Sequence, residues 1–375
     1  MRYHNITKDD MKNGDGLRVV LWVAGCNHCC KNCQNPITWD PDGGLLFDDA
    51  AKAEIFEQLD KSYINGITFS GGDPLHPANR IDVRNFAREI KEKYPEILFI
   101  AEVYNPHEYR DYIYRGHFDY LYDKVGLYDT IRSVMGGNTA TSITGAWQSV
   151  NDIQSHMLNF LENHDEQRIA SRFFAGNAEK GKPALLVSAL MNTNPMMIYF
   201  GQELGEQGMY SEGFSGQDGR TTIFDYWTID LIRRWRNNNK FDGTLLSKEE
   251  KDLQKFYTKV LNICNTEKAI REGLFFDVMY VNYNQGMNEH RQFAFLRKKD
   301  KELILVIANF DDQPARSWVK IPAHAFECLD IPVSDQEREC KDLLTGKKEK
   351  KVLIPDGTLY LEIPANGGKV LRFKF

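Results

Sequence analysis

The apolar residues of this chain change their period once, and that change limits the folds open to it. Up to about residue 285, short apolar runs alternate with stretches in which apolar residues recur every three to four positions. Residues 17–25 (LRVVLWVAG) read as a buried strand, and Phe47, Ala51, Ile55 and Leu59 mark a helix over 48–60. Residues 66–69 (GITF) read as a second strand, closed by the turn Ser70-Gly71-Gly72-Asp73-Pro74. Val83, Phe86, Ala87 and Ile90 mark a second helix that stops before Pro95, and 97–103 (ILFIAEV) is a third strand. Weaker strand-like runs follow at 118–123, 157–163 and 195–203, with a polar, Gly-rich loop over 211–222. Ser247 and Glu250 form a capping box ahead of Leu253, Phe256, Val260 and Ile263 at helical spacing. From about residue 290 the period becomes two: QFAFLR, ELILVIANF, WVKI, TLYLEI and KVLRFKF alternate between Pro and Gly punctuation. The first pattern is that of parallel α/β sheets and barrels, the second that of an antiparallel, sandwich-like domain. The expected fold class is therefore α/β: six parallel strands in a partial (βα) barrel, followed by an all-β C-terminal domain.

Composition excludes several classes. With 375 residues the chain has room for two to three domains. Lys+Arg 47 against Asp+Glu 53 gives a net charge of −6, which disfavours non-specific nucleic-acid binding. No window reaches 18 consecutive apolar residues, so no membrane span is expected. The opening MRYHNITKDDMKNGDG has no apolar core of a signal peptide, and a cytoplasmic location is expected.

The seven cysteines are unevenly spread. Cys26, Cys29, Cys30 and Cys33 sit within eight residues, directly after the first strand, while Cys264, Cys328 and Cys340 are scattered. A disulfide framework would distribute its cysteines along a small secreted chain; a local cluster points to a reducing compartment and a metal or cluster site. Cys26, Cys30 and Cys33, at C-x3-C-x2-C spacing, can each hold one iron of a [4Fe–4S] cluster, leaving one iron open to a ligand. A zinc loop is the competing reading, but zinc sites favour a second C-x2-C pair elsewhere, and there is none. Cys29 and Cys30 are adjacent and do not easily both point inward.

RVVLWVAGCNHCCKNCQNPITWD, with SGGDPLHP some forty residues on, resembles the radical S-adenosylmethionine activating proteins of anaerobic ribonucleotide reductase over residues 1 to about 95. The resemblance implies a [4Fe–4S] cluster on Cys26, Cys30 and Cys33, and S-adenosyl-L-methionine as cofactor. It also implies an adenosyl radical that abstracts hydrogen from a glycine of the partner reductase, with an electron donor such as flavodoxin or ferredoxin. On the same ground the backbone of Asn32, Cys33 and Gln34 lies along the adenine. Gly71, Gly72 and Asp73 receive the amino-acid end, where glycines let backbone groups approach closely. Many members of the superfamily carry an aromatic residue before the third cysteine, where this chain has Asn32.

From about Ile90 onward the chain resembles the second half of an α-amylase of glycoside hydrolase family 13. FIAEVYNPHEYRDYI matches the segment that carries the general acid, here Glu102. FLENHDEQR matches the segment in which His164 contacts sugar and Asp165 stabilises the transition state; IYFGQELGE and the period-two region fit the same family. Glu102 and Asp165 each follow a strand, where barrel residues converge on one pocket. A retaining glycosidase needs an acid and a carboxylate nucleophile about 5–5.5 Å apart. The upstream segment carrying the nucleophile has no counterpart, and residues 1–95 contain no G-x-R-x-D. Glu102 and Asp165 then read as inactive remnants of a barrel, with a catalytic role as the alternative. Trp147, Tyr226 and Trp227 could stack on sugar rings, with core packing as the alternative.

Residues 1–95 thus read as a truncated radical S-adenosylmethionine domain, 96–285 as the part of an amylase barrel equivalent to strands 5–8, and 286–375 as the β-domain. The join falls near Lys91–Ile97, where EIKEKYP suits either side. The composite barrel joins half of one family to half of the other. Three functions compete: a glycyl-radical-generating activase, an amylase-type hydrolase acting on α-glucan, and a non-catalytic iron–sulfur or carbohydrate-binding protein. The missing nucleophile removes the step that divides the glycosidic barrier in two. A reducing-sugar assay on soluble starch should therefore show no hydrolysis. Activity that vanishes on Glu102→Gln would mean that another carboxylate has taken the nucleophile's place.

Overall fold

The structure, a computed structural model, describes residues 1–375 except Asp15, Asn32, 210–216 and 222–228. Asn32, most of the Gly-rich loop, Tyr226 and Trp227 therefore lie outside the described residues. The chain divides into two compact units, Met1–Leu121 and Tyr122–Phe375.

In the first unit, β1 (Arg2–Asp10) is a strand that the polar sequence RYHNITKDD did not announce. It runs antiparallel to β2 (Leu17–Val23), with Ile6 opposite Leu21 and Thr7 opposite Val20. The Trp22 indole N–H donates to Thr7 Oγ1 at 2.8 Å. The short β3 (Leu45–Leu46) adds to the other side of β1. Asp48 caps α1 (Asp49–Leu59) by accepting from the Ala51 amide at 3.0 Å, which satisfies one of the free donors of its first turn. β4 (Ile64–Gly71) pairs parallel to β2, giving the order β3-β1-β2-β4. α2 (Arg80–Lys93) buries Val83, Phe86, Ala87 and Ile90, the four positions that the sequence placed on one face. The Phe86 ring meets Phe47, Phe56 and Phe69 edge-on, at 5.1, 5.6 and 6.2 Å between centroids. One aromatic cluster thereby locks α1, β4 and α2 together.

The strand expected over 97–103 contracts to β5 (Ile100–Ala101). After α3 (Tyr109–Tyr114) it pairs parallel with β6 (Tyr120–Tyr122), whose last residue opens the second unit. The Asp119 carboxylate accepts the Phe99 amide at 2.8 Å and pairs with Lys91, so a side chain takes a donor that a longer strand would offer. Leu98 and Ile100 are 64% and 52% exposed, uncovered by any second neighbour. Among the described residues, 97–103 thus pairs with β6 alone. The single six-stranded parallel sheet is corrected: β4 is the rim of its own sheet, which β1 and β3 extend in antiparallel fashion.

The second unit opens with α4 (Asp129–Met135) and α5 (Ser142–Ser149), followed by β7 (Met157–Phe160). After α6 (Gly181–Leu190) comes β8 (Met196–Met197), parallel to β7. Both strands are shorter than the runs 157–163 and 195–203. Next come α7 (Asp230–Arg236), α8 (Lys248–Thr266) and α9 (Lys268–Glu272). The expected capping box opens α8: Ser247 Oγ accepts from the Glu250 amide, and Glu250 accepts from the Ser247 amide. In α6, nine of ten residues are buried, as befits a helix packed on all sides.

The period-two region forms antiparallel strands, as expected. They are β10 (Gln292–Lys299), β11 (Glu302–Asn309) and β12 (Ala315–Lys320), then, after α10 (Ala323–Cys328), β13 (Glu337–Asp342), β14 (Lys348–Val352), β15 (Thr358–Ile363) and β16 (Gly367–Lys374), joined by β9 (Leu274–Asp277), which lies ahead of the region and was not expected. Six form a sheet in the order β14-β13-β16-β11-β10-β9, and β12 pairs with β15. Arg297 of β10 is buried without a carboxylate. Its guanidinium donates to the carbonyls of Met191, Ala269, Ile270 and Gly273, and burial lowers its pKa to about 10. Among the described residues no helix is long and apolar enough to cross a membrane.

Asp123 sits 1% exposed at the head of the turn Lys124–Tyr128, accepting the Leu127 amide at 2.8 Å. Burial pushes its carboxyl up to about 6, against the opposing pull of backbone donors. In an unfolded chain an Asp titrates near 3.9, so the folded form binds more protons between about pH 4 and 6. Its contribution is then fully present below about pH 4 and is lost as pH rises through about 6. Asp123→Asn keeps an acceptor and removes the titration. Urea unfolding should show the variant gaining up to about 3 kcal/mol on the native protein between pH 4 and 7. A difference independent of pH would contradict this.

Candidate functional site

Two loops, one after β2 and one after β4, meet at the C-terminal ends of a parallel pair of strands. The first leaves β2 through Gly25 at φ +105°, where a Cβ would crowd His76 and Pro41. Its base is closed by the Gly25 amide donating to Thr38 O (2.7 Å) and the Cys26 amide to Trp39 O (3.0 Å). A 3-10 turn, Pro36–Thr38, brings the chain back. Within the loop, Cys29 takes the left-handed conformation (φ 46°) and the Cys33 amide donates to Cys30 O at 3.1 Å. That conformation favours Gly, Asn or Asp over cysteine. The second loop turns at Gly71 (φ +97°), and at Gly72 a Cβ would lie 2.6 Å from Gly25 O and 2.9 Å from Thr38 O. Glycine is required there because the two loops touch through their backbones.

Hydrogen bonds join the loops further. The Gly72 amide donates to Val23 O (2.9 Å) and the Asp73 amide to Gly25 O (2.8 Å). The fully buried Asn79 donates from Nδ2 to Ala24 O (2.7 Å) and Asp73 O (3.0 Å). The Asp73 carboxylate accepts the Leu75 amide at 2.7 Å and faces His28 Nε2 at 3.5 Å. The structure therefore brings Cys26, Cys30, Cys33 and the Gly71-Gly72-Asp73 turn into one place, with exposed Gln34 beside them. Cys26 and Cys33 are half-buried, and Cys29 and Cys30 are exposed. Burial pushes the Cys26 thiol up; a backbone donor from His28 opposes this, and nearby Asp73, Cys30 and Cys33 add to it. Cys33 Sγ accepts from the Asn35 amide and from the Trp39 indole N–H, each at 3.4 Å.

This donor set fits a cluster. Three thiols share a neighbourhood, and N–H donors converge on one sulfur, an interaction that tunes thiolate-bound iron. Among the described residues, no three His, Cys, Asp or Glu side chains converge to hold a single metal ion. A four-iron cluster draws its thiolates to separate irons and needs them further apart. Trp39, His28 and Asn79 were not singled out from sequence. Trp39 alone left a local signal, six residues after Cys33; Asn79 acts on residues 55 and 6 positions away.

The residues of the amylase resemblance fall in different units. Glu102 follows β5 in the first and is exposed. His164 and Asp165 follow β7 in the second, with His164 Nε2 at 3.5 Å from Asp165 Oδ2. Asn163 Oδ1 holds that turn by accepting the amides of Asp165 and Glu166, at 2.9 and 3.0 Å. Beneath them, fully buried Arg168 pairs with Glu162 at 2.8 Å and donates to Thr221 Oγ1 and Phe200 O. Trp147 donates to Asp277 at 2.9 Å and packs edge-on against Phe275, a core role.

Comparison with known proteins finds two families in the chain, whose models overlap over residues 76–113, inside the first unit. A family model for a 4Fe-4S single cluster domain matches residues 12–113, and one for the α-amylase catalytic domain matches residues 76–240. The anaerobic ribonucleoside-triphosphate reductase-activating protein of Enterobacteria phage T4 is 45% identical over 96 residues, 26% of this chain. Those of Haemophilus influenzae and Escherichia coli K12 are 40% and 39% identical over 98 and 97 residues. The chain spans 62–63% of the length of these relatives. Among solved structures, the α-amylase of Geobacillus thermoleovorans has a TM-score of 0.62 at 15% identity, covering 94% of this chain and 72% of that one. The maltogenic α-amylase of Thermotoga neapolitana gives 0.58 at 15% identity, covering 88% and 66%. The N-terminal hundred residues thus match the activating proteins, and the α-amylase likeness covers the rest. The fold is α-amylase-like, a (βα) barrel type with an all-β C-terminal domain.

Of the adjacent, exposed thiols Cys29 and Cys30, only Cys30 stands at the C-x3-C-x2-C spacing. Anaerobically reconstituted Cys30→Ala should lose its iron and sulfide, whereas Cys29→Ala should keep nearly all of both. Equal losses would sink the assignment of Cys26, Cys30 and Cys33 as ligands.

Proposed function

We propose that the first unit is a radical S-adenosylmethionine activase that generates a glycyl radical on an anaerobic ribonucleoside-triphosphate reductase. The observation that carries this reading is the backbone contact between the cysteine loop and the Gly71-Gly72-Asp73 turn. It sets three thiols beside the Asp73 carboxylate and a glycine turn packed against the cysteine loop. Cys26, Cys30 and Cys33 would hold a [4Fe–4S] cluster, and Asn32, Cys33 and Gln34 would line the adenine of S-adenosyl-L-methionine. When bound, cluster and cofactor together supply one-electron cleavage of a sulfonium and a carbon-centred radical.

The chain's own residues orient and protect. Asp73 offers a carboxylate to the cofactor's ammonium, with His28 and the Leu75 amide fixing its direction. Gly71 and Gly72 let backbone groups approach the amino-acid end. The Trp39 indole and the Asn35 amide donate to Cys33 Sγ and fix its direction. We further propose the parentage of the chain: 1–95 from a radical S-adenosylmethionine half-barrel, 96–285 from an amylase barrel and 286–375 from its β-domain. His164 and Asp165 would remain able to contact an α-glucan without cleaving it. Flavodoxin or ferredoxin would deliver the electron, in the cytoplasm.

The test uses the reconstituted full chain with dithionite and S-adenosylmethionine under anaerobic conditions. Chromatography should detect 5′-deoxyadenosine, and Asp73→Asn should lower its rate at least tenfold while leaving iron content unchanged. Cluster-loaded protein that forms no 5′-deoxyadenosine would overturn the activity and leave an iron–sulfur module.

A further inference from the structure

One face of the six-stranded sheet carries charge opposite to that of the chain as a whole. The net charge is −6, yet an open hollow of about 560 Å³ is lined by Arg338, Glu339, Lys341, Lys348, Arg372 and Lys374. Strand register makes part of this lining a row. Lys341 on β13 lies directly opposite Lys348 on β14 and directly opposite Arg372 on β16. Residues directly opposite on antiparallel neighbours share a face, and like charges placed so destabilise a sheet. Two members of the row have a carboxylate: Lys348 pairs with Glu339 at 3.1 Å and Arg372 with Glu267 at 2.8 Å. Lys341 in the middle, and Lys374 two residues beyond Arg372, have no ion-pair partner among the described residues. The Arg338 guanidinium lies over the Phe375 ring at 4.7 Å, its Nε buried and without a hydrogen-bond partner.

Protection of a sheet rim accounts for the lysines of β14, which is an edge strand. It does not account for Lys341 or Arg372, because β13 and β16 are interior strands. A solvated cation could occupy either position at random. A row of three across adjacent strands, its centre unmatched and its floor hollow, needs a further reason.

We propose that this row binds a linear polyphosphate, with consecutive phosphoryl groups lying across β14, β13 and β16. Neighbouring strands are about 4.8 Å apart, so the three cations span about 10 Å. That length is comparable with three linked phosphoryl groups, whereas a single orthophosphate reaches no more than two of the cations. Ammonium and guanidinium groups give phosphate oxygens charge-assisted hydrogen bonds, and the ligand neutralises Lys341, the member of the row without a carboxylate among the described residues. Free inorganic polyphosphate and the tail of a nucleoside triphosphate present the same chemistry.

Calorimetric titration of the full chain at 50 mM salt tests this, with inorganic tripolyphosphate, orthophosphate and adenosine triphosphate as probes. Tripolyphosphate should bind at least tenfold more tightly than orthophosphate, and binding should weaken as salt rises. Equal affinity for the two triphosphates places all recognition in the phosphates; a tighter nucleotide adds contacts to its base. Lys341→Gln should weaken tripolyphosphate at least tenfold, while Lys350→Gln, the same charge change outside the hollow, should not. Without ligand, Lys341→Gln should melt at or above the native temperature, because a like-charge contact is relieved. Absence of tripolyphosphate binding, equal losses in both variants, or a lower melting temperature for Lys341→Gln would overturn the proposal. So would tight binding of a single-stranded oligonucleotide in place of tripolyphosphate.

Discussion

The second unit depends on Arg297, a full positive charge held in its interior by carbonyls alone. Its guanidinium reaches Met191 O just past the end of α6, and Ala269 O, Ile270 O and Gly273 O in and after α9. Carbonyls at helix C-termini lack partners and carry partial negative charge, so one side chain on β10 satisfies two helix ends at once. The sheet and the helices packed on it are thereby keyed in one register. Burial lowers the group's pKa to about 10 yet leaves it cationic at neutral pH. Arg168 solves a similar problem with a carboxylate: Glu162, the Thr221 hydroxyl and the Phe200 carbonyl share its donors. A buried charge stripped of such partners costs about 3–5 kcal/mol. These two arginines are therefore poor places for substitution, even though neither meets solvent or substrate.

The first unit is organised around close backbone approach instead. Gly72 touches Gly25 and Thr38 with no room for a side chain, and Asn79 ties both loops from below. The loops can hold their functional groups only because they hold each other. That arrangement lies wholly in the first unit, which explains how it can persist when the chain beyond it resembles a different family. By contrast, the carboxylates of the amylase resemblance are divided between units.

How far the sequence foretold this depends on distance along the chain. α2 was legible in full, because Val83, Phe86, Ala87 and Ile90 state its buried face within eight residues. The capping box of α8 was equally local, whereas β10 and β11 are buried on both faces instead of alternating, because helices cover the side that a lone sandwich sheet would leave to solvent. The polar β1 was not legible: its partner contacts, such as Thr7 with Trp22, lie 15 residues away. The run 97–103 was over-read as a full strand, since hydrophobicity cannot tell that Asp119 will claim the Phe99 amide. At the site, cysteine spacing and the glycine pair were readable. Asn79 was not, because its role is defined by carbonyls at Ala24 and Asp73 rather than by its neighbours in sequence.

The rims of the six-stranded sheet and of the sheet that carries the cysteine loop differ in chemistry, and this bears on how the molecule behaves at high concentration. β14 ends the larger sheet with Lys348, Glu349, Lys350 and Lys351, a charged border that repels an incoming strand. β3 ends the smaller sheet with Leu45 and Leu46, 60% and 61% exposed, on a strand only two residues long. Its shortness limits how many backbone bonds a neighbour can add, but its two leucines offer an apolar foothold. Crowding during overexpression would therefore be felt first at the cysteine-bearing end of the chain. Solubility screening that begins with a lysine at position 45 or 46 would act on that rim without touching either sheet's interior.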